Sequence, residues 1–207
     1  MRAMNEAFLR LFNVPDAFAN VRLAGRTDTS IIKDALLAYH FDVNAQAIEE
    51  FKKLYYRLLE KEIKTPLNGK KLMPGVSDLL EVLAEKRDVF LGLLTGNWEK
   101  SGRIKLAHFK IDHFFQFGAF ADDSEIRNEL LPYAIKRFSK KFGQVPEASD
   151  VVVIGDTPAD IQCARPHGAT AVAVAAAHYT VEQLREHQPD HLFQDLSRLE
   201  EVLKILE

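Results

Sequence analysis

Val151-Val152-Val153-Ile154-Gly155-Asp156-Thr157-Pro158-Ala159-Asp160 decides how this chain is read. Four β-branched apolar residues in succession predict a strand buried on both faces, as in a parallel sheet; a half-solvated strand would alternate. Gly155-Asp156 stops the run, and Thr157-Pro158 has the chemistry of a helix start. A second stretch has the same grammar. Val89-Phe90-Leu91-Gly92-Leu93-Leu94 stops at Thr95-Gly96-Asn97, and a helix is predicted over 98–108. A glycine lets backbone N–H groups approach an anion, a helix N-terminus adds partial positive charge, and Thr95 adds a hydroxyl donor. Asp156 and Asp160, four apart, share one side of the turn, and paired acids suit a hard divalent cation. Either stretch alone is also ordinary turn or cap composition. At the ends of two buried strands, they place a ligand site at the carboxyl edge of a parallel sheet.

Outward from these two stretches, strands are expected at 115–120, 170–175 and 191–193. Helices are expected at 76–86, 130–142, 158–167, 180–187 and 196–206. Alternation of this kind predicts a doubly wound parallel α/β unit over residues 67–207. The first third reads differently. Ala3, Ala7, Phe8, Leu11 and Phe12 recur at helical spacing. Thr27-Asp28-Thr29-Ser30 supplies cap candidates for a helix reaching about His40, and Asn44 caps another from Ala45 to about Lys64. No strand is legible there, so residues 1–66 are expected to form a helical cap, with the change of character at Pro66-Leu67-Asn68-Gly69.

With 207 residues, 47% of them apolar, the chain can bury a sizeable core. Twenty-seven basic against 30 acidic residues give a net charge of −3 with the signs interspersed, so no basic face points to nucleic acid. Cys163 is the single cysteine, which excludes an internal disulfide and fits a reducing compartment. No apolar run approaches the ~18 residues of a membrane span. The segment 1–12 lacks a signal-peptide core, so a cytoplasmic location without membrane association is expected. The oligomeric state is not legible. The histidines have no metal-ligand spacing, and Cys163 reads as a small buried residue. Trp98 reads either as a shield for the pocket or as packing between cap and core.

These motifs resemble the haloacid dehalogenase-like hydrolases, and among them the phosphoglycolate-phosphatase-like branch. Thr95-Gly96-Asn97 is similar to the family's second motif, Val151 to Asp160 to the fourth, and Met73-Pro74-Gly75-Val76 to the re-entry from cap to core. The resemblance implies a phosphatase for a small-molecule phosphate ester that works through an aspartyl phosphate with magnesium (Mg²⁺) as cofactor. It implies that Thr95 is the phosphate hydroxyl, with Gly96 and Asn97 lining the phosphate pocket. Asp156 becomes a metal ligand, and Asp160 a further ligand or a support to the metal site. Arg127, in Ile126-Arg127-Asn128-Glu129-Leu130, fits the third-motif cation, while Lys136, Arg137, Lys140 and Lys141 read as a solvated helix face. Arg26, in Gly25-Arg26-Thr27-Asp28, would contact substrate from the cap. The acid pair favours a phosphatase over a dehalogenase, which shares the fold but uses no metal.

The family's first motif, a strand ending Asp-x-Asp-Gly-Thr, has no counterpart in the sequence, and Met1 to Glu6 resembles the first cap helix. The expectation is therefore an α/β core without its central strand and a chain inactive as written. A misplaced start codon, a shortened chain and a non-catalytic ligand-binding or regulatory paralogue are the open explanations. The intact state of the other motifs favours the first. The segment Val174-Ala175-Ala176-Ala177-His178 also departs from the glycine-containing turn usual in the family.

Overall fold

The structure, a computed structural model, describes residues 1–21, 23–65, 71–175 and 178–206. The first third folds as three helices: α1 (Arg2–Phe12), α2 (Asp28–Ala38) and α3 (Ala45–Glu62). Their ends follow the sequence. Asn13 closes α1 in the left-handed conformation, with its N–H on the Leu9 carbonyl. Thr27 Oγ1 accepts the Ser30 N–H at 3.2 Å, and Asn44 Oδ1 accepts that of Ala47 at 2.9 Å. Helices α1 and α3 pack together. Phe8, wholly buried, meets the rings of Phe12, Phe18, Tyr39, Phe41 and Phe51. Ala3, Ala7, Ile32, Leu36 and Tyr55 fill the rest of this cluster, and Trp98 and Ala121 enter it from the far side.

The remainder alternates strand and helix: α4 (Val76–Glu85), β1 (Gly92–Leu94), α5 (Glu99–His108), β2 (Phe117–Ala119), α6 (Leu130–Phe142), β3 (Val152–Gly155), α7 (Pro158–Ala164), β4 (Thr170–Val174), α8 (Val181–Arg185), β5 (His191–Phe193) and α9 (Leu199–Leu203). All pairings are parallel, as expected. β1 lies beside β2 with Leu94 opposite Ala119, and β4 lies between β3 and β5 with Val172 opposite Ile154 and His191. The helices cover the strands through small apolar clusters, one built on Ala171, Ala173, Ile161 and Leu184 and another on Leu79, Leu83, Val174 and Val202.

Among the described residues the strands form two separately hydrogen-bonded sheets, β1-β2 and β3-β4-β5, in keeping with a core that lacks its central strand. One reading of the strands is corrected. The runs read as buried on both faces are only partly so: Phe90 is 36% and Ile154 40% exposed. An apolar run reports a taste for burial, whereas burial needs a neighbour on each side, and β1 and β3 each pair on one edge only among the described residues. The change of character at 66–69 and residues 176–177 lie outside the described residues. No described helix is long and apolar enough to cross a membrane.

Phe8 touches five rings at no exposure, so Phe8→Ala leaves a large cavity in the helical third. The variant should lose about 3–5 kcal/mol of unfolding free energy in urea titration.

Candidate functional site

The turns after β1 and β3 line one cleft of about 310 Å³, together with residues of the helical third. Thr95, Gly96, Asn97, Arg127, Asp156, Asp160 and Arg26 all border it, so every residue singled out from the sequence is brought to one place. Met4, Leu23 and Tyr55 supply apolar wall.

Asp160 shapes the floor. It is 5% exposed, and one of its oxygens accepts three hydrogen bonds: from the Asp156 N–H at 3.1 Å, the Thr157 N–H at 3.0 Å and Thr157 Oγ1 at 2.7 Å. Its other oxygen takes an ion pair from Arg127 Nη2. A Cβ on Gly155 would collide with this carboxyl, so only glycine allows the acid to fold back beneath the turn. Arg127 Nη2 also donates to the Leu94 carbonyl at 3.2 Å, which ties the end of β1 to the start of α7. Among the described residues its Nε is buried without a partner. Cys163, buried as expected, donates its thiol to the Arg127 carbonyl at 3.3 Å.

Asp156 differs from Asp160. Burial and the neighbouring Asp160 push its carboxyl above the usual carboxylate range, with its own backbone N–H, His178 and Arg127 pulling the other way. Its carboxylate takes no ion pair among the described residues. It is an acid short of a cation. Mg²⁺ commonly binds through one or two carboxylates, with water and phosphate oxygens completing its shell. Asp156 fits that pattern, although no group of three or more metal-ligating side chains gathers among the described residues.

Across the cleft, Thr95 Oγ1 accepts from the Asn97 N–H at 3.2 Å and from Asn97 Nδ2 at 2.7 Å. Asn97 Oδ1 accepts from Lys105 Nζ. Lys105 also borders the cleft and was not singled out from the sequence. Burial pulls its amine down, partly offset by the charges of Asp28 and Glu62. The available signal was its position on α5: Ser101 and Gly102, the buried small residues of that helix, lie four and three residues before it.

The helical third reaches the cleft through the loop before α2. The Asp28 N–H donates to the Gly96 carbonyl at 2.6 Å, and Asp28 Oδ2 accepts from the Trp98 N–H and Ser101 Oγ, both at 3.0 Å. A Cβ on Gly96 would strike the Arg26 carbonyl oxygen, so the two backbones meet directly. Burial pushes the Asp28 carboxyl up, and Lys105 offsets part of that. The Arg26 guanidinium is paired with Asp34 at 2.7 Å. Trp98 is packing between the two parts: it is wholly buried against Phe51, Tyr55 and Tyr56, with Nε1 on Thr29 Oγ1 at 2.8 Å. The solvated face read on α6 needs one correction. Arg137 grips Asp123 through two bonds of 2.5 and 2.6 Å and donates to the Gly118 carbonyl, because the acidic turn after β2 folds over that face.

The family model of haloacid dehalogenase-like hydrolases matches residues 4–174. The chain is 29% identical over 136 residues to a phosphoglycolate phosphatase of Haemophilus influenzae, a match covering 66% of this chain and 59% of that protein. Among solved structures it resembles a β-phosphoglucomutase from Clostridium difficile, with a TM-score of 0.71 at 18% identity over 99% of this chain and 88% of the other. It also resembles a hydrolase from Pseudomonas syringae, with a TM-score of 0.68 at 22% identity over 98% and 89%. At these identities the structural likeness is one of fold.

The two acids should respond oppositely to neutralisation. An acid whose pKa is raised by folding costs stability once ionised. Asp156→Asn should therefore raise the melting temperature at neutral pH in magnesium-free buffer, the gain fading as pH falls into the ordinary carboxylate range. Asp160→Asn strands Arg127 and should cost about 3–5 kcal/mol in the same buffer. Calorimetry of both variants across pH reads the contrast.

Proposed function

The chain belongs to the haloacid dehalogenase-like hydrolases, and from that premise we propose that its cleft binds a small phosphate monoester. The observation that carries this reading is the convergence of Thr95, Arg127 and Asp156 on one cleft, with a buried guanidinium N–H still unpartnered. Thr95, whose oxygen accepts two bonds from Asn97, keeps its own proton for a phosphoryl oxygen. Arg127, Gly96 and Asn97 complete the phosphate pocket. Asp156 would hold Mg²⁺, whose charge offsets that of the phosphate when it is bound. Asp160, with its oxygens already engaged, supports the site by fixing the Asp156 turn and Arg127. The helical third acts as the cap, and Arg26 would meet the substrate beyond the phosphate.

Turnover is a separate matter. No Asp-x-Asp-Gly-Thr occurs in the 207 residues. Asp28 on the cleft wall and the two acids of the turn after β2 are engaged elsewhere: Asp28 with Trp98 and Ser101, Asp122 with Lys52 and the Glu99 N–H, Asp123 with Arg137. An in-line nucleophile is what the aspartyl-phosphate route requires, so these residues on their own bind the ester without hydrolysing it.

The test is binding and turnover by the 207-residue chain with magnesium. Inorganic phosphate and phosphoglycolate should bind in calorimetric titration, and Thr95→Val should weaken both by roughly tenfold, the scale of a lost bond to a charged group. A panel of phosphate esters should show no turnover. Hydrolysis that disappears in Asp156→Asn would place a nucleophile among the chain's own acids.

A further inference from the structure

The bonds around Thr95 run in one direction, and they start from Lys105 on the cleft wall. Lys105 Nζ donates to Asn97 Oδ1, Asn97 Nδ2 donates to Thr95 Oγ1, and the Asn97 N–H donates to the same oxygen. An ammonium has three donors and no acceptor, whereas a primary amide has one face of each kind. Lys105 therefore decides which way the Asn97 amide lies: oxygen toward the lysine, nitrogen toward the threonine. A hydroxyl that accepts two bonds has its proton left to point elsewhere. We propose that Lys105 is a positioning residue that commits the Thr95 hydroxyl to donating into the cleft, by fixing the orientation of the Asn97 side-chain amide.

The surroundings support the assignment. The Asn97 backbone is pinned on the other side, its carbonyl accepting the Ala121 N–H at 2.9 Å, so the side chain turns while the chain stays still. Gly102 leaves Asn97 and Thr95 side by side: a Cβ there would lie 3.7 Å from Asn97 Cβ and 3.8 Å from Thr95 Cγ2. Lys105 is one α-helical turn on from Ser101, which holds Asp28, so the helix after the phosphate loop carries the whole arrangement on one buried face. Without the lysine, either end of the amide can face Thr95. With the amide oxygen there, the hydroxyl donates to Asn97 and turns its lone pairs to the anion. Preorganised donors gain their strength by not having to reorient when charge arrives.

The inference rests on the phosphate-site reading, so its experiment has one arm that needs no ligand. Side-chain amide resonances of Asn97 in the free protein should shift on Thr95→Val and on Lys105→Met, with the Nδ2 protons losing protection in both. In calorimetric titration with inorganic phosphate, Lys105→Met should weaken binding roughly tenfold in the parent, and less than about twofold in a Thr95→Val background, since the lysine acts through the hydroxyl. Lys105→Gln, whose amide offers both a donor and an acceptor, should fall between parent and Met, and serves in place of Met should that variant not fold. A loss of similar size in both backgrounds would mean that Lys105 meets the anion directly, and overturns the positioning role. Unchanged Asn97 resonances in Lys105→Met or Lys105→Gln overturn it too, while leaving phosphate binding intact. Altered resonances in a parent that binds no phosphate at millimolar concentration would uphold the relay and sink the phosphate-site reading instead.

Discussion

The Arg127 guanidinium bonds to the end of one sheet and to the helix that follows β3 of the other. One of its nitrogens reaches the Leu94 carbonyl at the end of β1 and the Asp160 carboxylate in α7. Among the described residues the two sheets are not hydrogen-bonded to each other, and Arg127 links the end of β1 to α7 where the cleft lies. A buried pair of this kind is weak evidence for net stability, because desolvation offsets much of the attraction. Its value here is geometric. Asp160 holds the Asp156 turn with one oxygen and Arg127 with the other, and the same Arg127 nitrogen holds the Leu94 carbonyl. The cleft floor is set by one acid that is hydrogen-bonded on both oxygens and one that is not.

The wall opposite follows the same logic with different chemistry. Asp28 begins α2 in the helical third and accepts two hydrogen bonds from the start of α5. Thr27 and Thr29 add bonds to the Glu125 and Ala121 carbonyls at 2.7 and 2.8 Å. Lys52 and Asp122 pair at the rim at 2.7 Å. A helix N-terminus favours an acid, and Asp28 uses that preference to carry a buried charge at a joint. The two parts therefore meet through short polar contacts around a single aromatic plug.

Much of this was legible in the sequence. Thr27 and Asn44 read as caps because a short polar oxygen before an apolar period has one good use. Thr95 and Asp156 read as neighbours because two apolar runs end in turns of like composition, whereas Arg127 comes only from the resemblance to the family's third motif. Asp160 reads as a further metal ligand or as a support to the metal site; its bonds to the Asp156 turn and to Arg127 depend on how distant segments meet, which local spacing does not carry. The strand burial was misread, since Val151 to Ile154 states what those side chains favour and not how many strands stand beside them. Arg137 was misread because a basic helix face is solvated only when no acidic turn lies over it. Lys105 is not legible because a lysine on a short helix is ordinarily solvent-facing, and its burial beside the charge of Asp28, 77 positions earlier in the chain, is a tertiary fact.

The position of Trp98 has an optical consequence. It is the single tryptophan of the chain, sealed at the joint with Tyr55 and Tyr56 against it and its indole N–H held by Thr29. Selective excitation at the red edge thus reports one place in the molecule. Emission that reddens while helicity is retained would mark parting of the helical third from the α/β part. The protein carries its own gauge for that separation, with no label attached.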